Sequence, residues 1–313
     1  MSLHLGLDTS NYTTSVALFN SETYEAFGKR QLLEVKEGTK GLRQSEALFF
    51  HIQNLPILFR DLFSEKTECP VSIGVSVRPR DEAGSYMPCF LAGKSVAECL
   101  GSFSNLPVFE STHQVGHILA ALYSIEKLSL IYGRFIALHV SGGTTDVLFV
   151  EPDEEKIIAI RNIGTSLDLN AGQCIDRVGL MLGLNFPAGP ELEKLALKSD
   201  KDYKVKIPPK APNCSLSGLE NLCVAMAQKG ESPQDTAKFC LDYISKTLES
   251  MISSAIKNHG NLPLLLTGGV MANSIIRKRL SDKFECIFGK PEMSSDNAVG
   301  LAVFAALKHG YKP

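Results

Sequence analysis

Leu3-His-Leu-Gly-Leu-Asp-Thr-Ser-Asn-Tyr-Thr-Thr-Ser-Val-Ala-Leu-Phe19 alternates apolar and small residues around a polar turn, the pattern of a strand, a tight turn and a second strand. The pattern returns at Phe135-Ile-Ala-Leu-His-Val-Ser-Gly-Gly-Thr-Thr-Asp-Val-Leu-Phe-Val150. Sliding one onto the other sets Ser10 over Ser141, Thr13-Thr14 over Thr144-Thr145, and Val16 and Leu18 over Val147 and Phe149. Two hairpins in equivalent places predict a duplicated α/β chain of two related lobes, spanning 1–132 and 133–313.

Outward from the first hairpin, the sequence predicts a helix over 43–63, a strand over 71–77 and a helix over 91–103. A short strand at 108–110 then leads into a helix that carries two histidines. The second half repeats this order with insertions. Helices are expected at 168–182, with Asp168 near the cap, at 190–197, and at 232–259, where Ser232 caps and Pro233 opens the first turn. A buried strand over 263–267 ends in Gly268-Gly269, a helix starts near Asn273, and a last strand covers 284–288. Asp296 stands at the entry to the final helix, which is expected to pack on the N-terminal lobe. The lysine- and proline-rich stretch 200–212 reads as a solvated linker or, with Arg277-Lys-Arg279, as a patch for RNA phosphates.

Composition sets bounds on the class. The chain has 313 residues, 44% hydrophobic and 21% charged, enough to build one large domain or two lobes with sizeable cores. Apolar runs stop short of the ~20 residues that a membrane span needs, and the N-terminus has no basic region followed by an apolar stretch. Eight cysteines lie scattered without a C-x-x-C pair. That argues against a zinc ribbon or a disulfide framework and predicts a reducing cytoplasm. A net charge of −2 gives no global attraction to nucleic acid, so RNA binding needs a local patch or partner subunits.

Ser111-Thr-His-Gln-Val-Gly-His117 places His113 and His117 one helical turn apart on one face. Two neutral imidazoles in that geometry can share one ion, since imidazole suits zinc and iron; the competing reading is a pair of ordinary surface histidines. Gln114 stands where an H-E-x-x-H protease carries its general base, so peptidase machinery is missing. Three loops occupy matching strand ends: Asp8-Thr-Ser10, Ser141-Gly-Gly-Thr144 and Thr267-Gly-Gly-Val270. Glycine pairs there let backbone N–H groups approach phosphate oxygens, although one such pair alone is only a tight turn. Neither a P-loop nor a dinucleotide G-x-G-x-x-G is present. Asp176, Asp296 and Asn273 are further polar candidates, each competing with a capping or turn role.

Together and in this order, these motifs resemble the TsaD/YgjD family, the tRNA threonylcarbamoyladenosine transferases, from Leu5 to about Leu307. The resemblance implies a duplicated actin-like (ASKHA, RNase H-like) two-lobed fold with a nucleotide cleft between the lobes. The family's H-x-x-x-H maps onto His113 and His117, and its distant third ligand onto Asp296, for one divalent metal, iron or zinc. Its L-V-S-G-G loop maps onto His139-Val-Ser-Gly-Gly143, which covers His139, Val140, Ser141, Gly142 and Gly143. The A-G-E-A-F-D-K segment matches Ala171-Gly-Gln-Cys-Ile-Asp-Arg177, making Asp176 the ribose carboxylate. Leu182-Gly-Leu-Asn-Phe-Pro-Ala-Gly-Pro190 places Gly189 at the nucleotide, and G-G-V-x-A-N is intact from Gly268 and Gly269 to Asn273.

The implied activity is transfer of a threonylcarbamoyl group from threonylcarbamoyl-adenylate to the N6 amine of the adenosine 3′ of a tRNA anticodon. ATP or the adenylate would be the bound adenine nucleotide. Implied partners are a TsaB-type paralogue, a TsaE-type ATPase and tRNA. Several positions depart from the family pattern: Thr144 replaces a histidine, Gln173 a glutamate, Leu169-Asn170 an acidic-alanine pair and Glu220 a lysine. An early G-P-G loop becomes Arg78-Pro-Arg-Asp-Glu-Ala-Gly84. A paralogous carbamoyltransferase with another acceptor therefore stands as an alternative. So does a non-catalytic scaffold, against which the retained His113, His117 and Asp296 argue.

Overall fold

β1 (Leu3–Ser10) is buried along all but its last residue: Leu3, Leu5 and Leu7 alternate with His4 and Gly6, and the polar Asp8 and Thr9 at its end are buried as well. It forms an antiparallel hairpin with β2 (Thr13–Asn20), which continues to β3 (Glu25–Leu32). α1 (Gln44–Phe63) then leads to β4 (Ser72–Arg78), α2 (Phe90–Ser104), β5 (Val108–Thr112) and α3 (His113–Ser124). The sheet order is β3-β2-β1-β4-β5, with β4 and β5 parallel to β1. This computed structural model describes every residue except 1, 11, 35–41, 65–67, 83 and 294–296.

The second half repeats the plan. β6 (Phe135–Val140), β7 (Thr145–Asp153) and β8 (Ile157–Thr165) mirror the first three strands, and β9 (Leu264–Thr267) and β10 (Cys286–Phe288) are the parallel ones. The order β8-β7-β6-β9-β10 is that of the first sheet, element for element. Where the first half has α1 alone, the second carries α4 (Ala171–Met181), α5 (Gly189–Ala196), α6 (Ser217–Gln228) and α7 (Pro233–His259). α8 (Ser274–Ser281) and α9 (Asn297–Lys308) match α2 and α3 in sequence order.

Contacts divide the chain into two compact units. One comprises Met1–Tyr132, Pro152–Ala159 and Glu292–Pro313; the other comprises Gly133–Glu151 and Ile160–Pro291. In the first, Leu5, Leu7, Val16 and Ile73 pack against Leu55, Leu58 and Leu62 of α1 on one face of the sheet. α9 and α3 cover the other face. These two helices meet at Gly300 and Gly116, where a Cβ on Gly300 would lie 1.8 Å from the Gly116 carbonyl oxygen. In the second unit, α4, α6, α7 and α8 bury Leu138, Cys174, Cys240, Leu248 and Ile276 in one apolar core.

One local expectation is corrected. Asp168 does not cap the helix that follows it. α4 starts at Ala171 behind Asn170, and the Asp168 carboxylate instead accepts from Leu216 N at 2.8 Å and from the Ser217 hydroxyl. It thus supplies, from 48 residues away, the acceptor that the first turn of α6 lacks in its own sequence. No helix among the described residues is long and apolar enough to cross a membrane.

Candidate functional site

In the first unit, Thr112 ends β5 and caps α3, its hydroxyl accepting from Val115 N at 3.2 Å. That cap fixes where the helix starts and sends His113 and His117 off one face, both half-buried. Their rings meet edge to face with centroids 4.5 Å apart. An imidazole pair on one helix face is a donor set that suits zinc or iron. Beside them the fully buried Asp8, near the end of β1, places both carboxylate oxygens 3.1 Å from His113 Nδ1. Ser76, on β4, donates its hydroxyl to Asp8 Oδ1. Burial alone would raise the Asp8 carboxyl. The charge and hydrogen bond of His113, together with the Ser76 and Ser10 hydroxyls, outweigh it and hold the group below its ordinary value.

Asp296 lies outside the described residues. Its successor Asn297 opens α9 against Gly116, between the two histidines; a Cβ there would sit 3.0 Å from the Asn297 carbonyl oxygen. Among the described residues no three His, Cys, Asp or Glu side chains are grouped to hold a metal ion, so the pair is two-thirds of a ligand set at most.

The second unit holds a cavity of about 440 Å³. Its walls include Gly142 from the β6–β7 turn, Asp176 from α4, Gly189 and Glu193 from α5, Gly269 after β9, and Asn273 at the start of α8. Five predicted nucleotide residues are thereby brought together from segments that lie far apart in sequence. Ser141 and Gly143 belong to the same turn as Gly142, while His139 and Val140 are buried in β6, both paired with β7 and His139 also with β9. Asp8 and Ser10 are in the first unit, with His113.

Gly142, Gly189 and Gly269 share a property. A Cβ added to Gly142 or Gly269 meets nothing within 4 Å among the described residues, and at Gly189 only Ile175, at 3.8 Å. None of the three has a positive φ. Neither packing nor backbone strain requires glycine there, and a side chain would project into open space. Gly268 is the contrast, with φ +99° and the Val140 carbonyl oxygen 2.2 Å from a notional Cβ. It serves the turn that presents Gly269.

The polar walls are preorganised. Asp176 Oδ1 accepts from Ala188 N at 2.9 Å, across the turn that precedes Gly189. Burial pushes this carboxyl above its ordinary value, and the Ala188 N–H partly offsets the rise. Asn273 Oδ1 caps α8 by accepting from Ile275 N and Ile276 N, each at 3.1 Å. The capping reading of Asn273 therefore holds, and the residue also faces the cavity. Glu193 accepts from Ser274 N at 2.8 Å and ties α5 to α8. Sequence reasoning missed Glu193 and Ser76. Glu193 lies one turn beyond Gly189 on the same helix face, and Ser76 is a polar residue inside the apolar run Ile73–Val77, so both left a faint signal.

Departures from the family pattern are also resolved. Glu220 pairs with Arg177 at 3.0 Å, next to Asp176 in sequence. In the replaced loop, Asp81 is held by Arg78 at 2.7 Å and by Lys156.

A tRNA N6-adenosine threonylcarbamoyltransferase from Thermosipho africanus (strain TCF52B) is 29% identical over 316 residues, covering 96% of this chain and 92% of its own length. The activator of 2-hydroxyisocaproyl-CoA dehydratase from Clostridium difficile, solved with bound ADPNP, superposes with a TM-score of 0.56 at 14% identity, covering 98% of this chain and 95% of its own. Full-length HypF in a phosphate- and nucleotide-bound form gives a TM-score of 0.59 at 13% identity, over 99% of this chain and 56% of its own. With the repeated strand order, these likenesses identify the fold as the duplicated actin-like α/β type. The TsaD profile, described as tRNA N6-adenosine threonylcarbamoyltransferase, matches residues 50–303, and on that match the chain belongs to the TsaD family of acyl transferases.

Proposed function

We propose that this protein transfers a threonylcarbamoyl group from threonylcarbamoyl-adenylate to the N6 amine of the adenosine 3′ of the anticodon in tRNA. The observation that carries the reading is the second unit's cavity, where glycines unexplained by the fold stand beside a half-buried carboxylate. Its volume lies within the range of small-molecule sites. Asp176 has a second carboxylate oxygen to accept from ribose hydroxyls. Gly142 offers its backbone N–H to a phosphate from a turn that the Ser141 and Gly143 N–H groups close. Gly189, Gly269 and Asn273 leave room for the adenosine.

In the reaction, the N6 lone pair attacks the carbamoyl carbon and a C–N bond forms. The C–O bond to phosphate breaks, AMP leaves with that electron pair, and the amine loses one proton. The Gly142 N–H stabilises the charge that grows on the departing phosphate, while the Ser141 and Gly143 N–H groups hold the turn through the Thr144 carbonyl and the Ser141 hydroxyl. His113 and His117, with Asp296, would hold a divalent metal, iron or zinc, which when bound supplies Lewis-acid polarisation to an acyl carbonyl. The histidine spacing supports that ligand set. A net charge of −2 supports dependence on partner subunits, a TsaB-type paralogue and a TsaE-type ATPase, to hold tRNA. Eight free cysteines support a cytoplasmic setting.

A paralogous carbamoyltransferase with another acceptor is favoured by one observation: Glu220 neutralises Arg177 beside the cavity helix. Reconstitution separates the two. The protein is mixed with partner subunits, threonylcarbamoyl-adenylate and unmodified tRNA, and digested nucleosides are read by mass spectrometry. Modified adenosine that disappears with His113→Ala is expected. Its absence, from protein that still binds adenine nucleotide, overturns the tRNA reading in favour of the paralogue.

A further inference from the structure

β1 and β4 are parallel neighbours in register, Gly6 beside Gly74 and Leu7 beside Val75. Gly6 and Gly74 face α9, whose backbone lies against both. Two residues further along each strand, the same face is occupied by Asp8 and Ser76. Both are fully buried, and the serine hydroxyl donates to Oδ1 of the aspartate. Above them His113, the first residue of α3, brings Nδ1 to 3.1 Å from each carboxylate oxygen.

We propose that Asp8, pinned by Ser76, is a positioning residue that keeps the His113 proton on Nδ1 and so leaves Nε2 as the lone-pair donor to a cation. The inference rests on the metal reading of His113 and His117. An ionised carboxylate can only accept, so a neutral imidazole bonded to it through Nδ1 must carry its hydrogen there. The opposite nitrogen then has no hydrogen and keeps its lone pair. A carboxylate behind a ligating histidine also fixes the ring plane and raises its basicity. The Ser76 bond matters because it removes the remaining freedom of the carboxylate: one oxygen is shared by serine and histidine, and the group cannot rotate without losing both bonds. A purely structural Asp8, anchoring the start of α3, would fix the same tautomer but would leave metal uptake by a folded variant unchanged, so cobalt affinity is the readout that separates the two roles.

The test uses full-length, metal-free protein labelled with 15N-histidine at pH 8. Long-range 1H–15N spectra report the tautomer, and the His113 signal among seven histidines is assigned from His113→Gln. Cobalt(II) titration, read by visible absorption, reports metal uptake independently of turnover. Wild type is expected to show His113 protonated on Nδ1. Asp8→Asn should shift it toward the Nε2–H form and weaken cobalt binding about 10- to 100-fold. Ser76→Ala, which leaves the carboxylate in place, should weaken it several-fold and carries the test if Asp8→Asn does not fold. An Nε2–H or doubly protonated His113 in wild type, or variants that bind cobalt as tightly as wild type, overturns the proposal. Wild type that takes up no cobalt defeats the metal reading instead, and the tautomer then decides only whether Asp8 places the His113 proton.

Discussion

Two glycines adjacent in sequence separate a structural from a functional requirement. Gly268 adopts φ +99° with the Val140 carbonyl at 2.2 Å from a notional Cβ, whereas Gly269 faces open space. Gly268→Ala should therefore cost about 2–3 kcal/mol of stability through backbone strain and a carbonyl that cannot move away. Gly142→Leu places its Cβ where nothing lies within 4 Å among the described residues, and should leave stability within about 0.5 kcal/mol. It should also weaken adenine nucleotide binding at least tenfold, because the new side chain occupies the cavity. Thermal unfolding and calorimetric titration of both variants check the pair. A Gly142→Leu protein that binds nucleotide normally would remove this cavity from the nucleotide assignment.

α3 and α9 touch through Gly116 and Gly300, a contact with no room for a methyl group. Gly300→Leu must push the helices apart and should destabilise the first unit by about 3 kcal/mol or more, within the upper range for overpacked cores. It should also weaken metal uptake, since the histidines flank Gly116 along α3. Guanidinium melts and cobalt titration read the two effects separately. At α6, Asp168→Ala should cost about 1–2 kcal/mol by removing the acceptor for Leu216 N and Ser217. That bond also shows where sequence reading stops. The hairpins, parallel strands and long helices were legible because burial imposes a period. A cap supplied from 48 residues away has no local signature. β3 escaped notice because it is an exposed edge strand with Gly28, Lys29 and Arg30, residues that read as loop. α6 escaped because Gly218 and few long apolar residues blur its period. The cavity was legible as motifs, five of whose residues meet there. The Asp8–Ser76 pairing was not, because it depends on strand register rather than on spacing along the chain.

Across the whole molecule, acid should act on the two units at different pH. In the first, burial lowers His4 to about 4, helped by His309, and lowers His51 to about 4 against an opposing pull from Asp8. Both are buried and engaged by hydroxyls: His4 by Ser72 at 2.8 Å and His51 by Thr14 at 2.8 Å. With native values below the unfolded 6.5, the unfolded chain binds more protons in this window, so stability is complete above pH 6.5 and falls as pH drops to 4. Each histidine can account for about 3 kcal/mol at most. In the second unit, burial would raise the Glu249 carboxyl, but Lys246, Lys283 and Arg279 pull it down to about 2. Lys246 sits at 2.8 Å on α7 itself, and Arg279 at 3.0 Å joins α7 to α8. The Glu249 contribution, about 2 kcal/mol once its exposed cationic partners are discounted, is fully present above the unfolded value of 4.5. It is lost only as pH falls toward 2. Hydrogen exchange at pH 5 and 7.5, corrected for intrinsic rates, should therefore show protection falling in β1, β2 and α1 while α7 and α8 keep theirs. Equal loss in both units at pH 5 would show that the buried histidines do not set the acid response, and Glu249→Gln should abolish the later transition if the carboxylate network controls it.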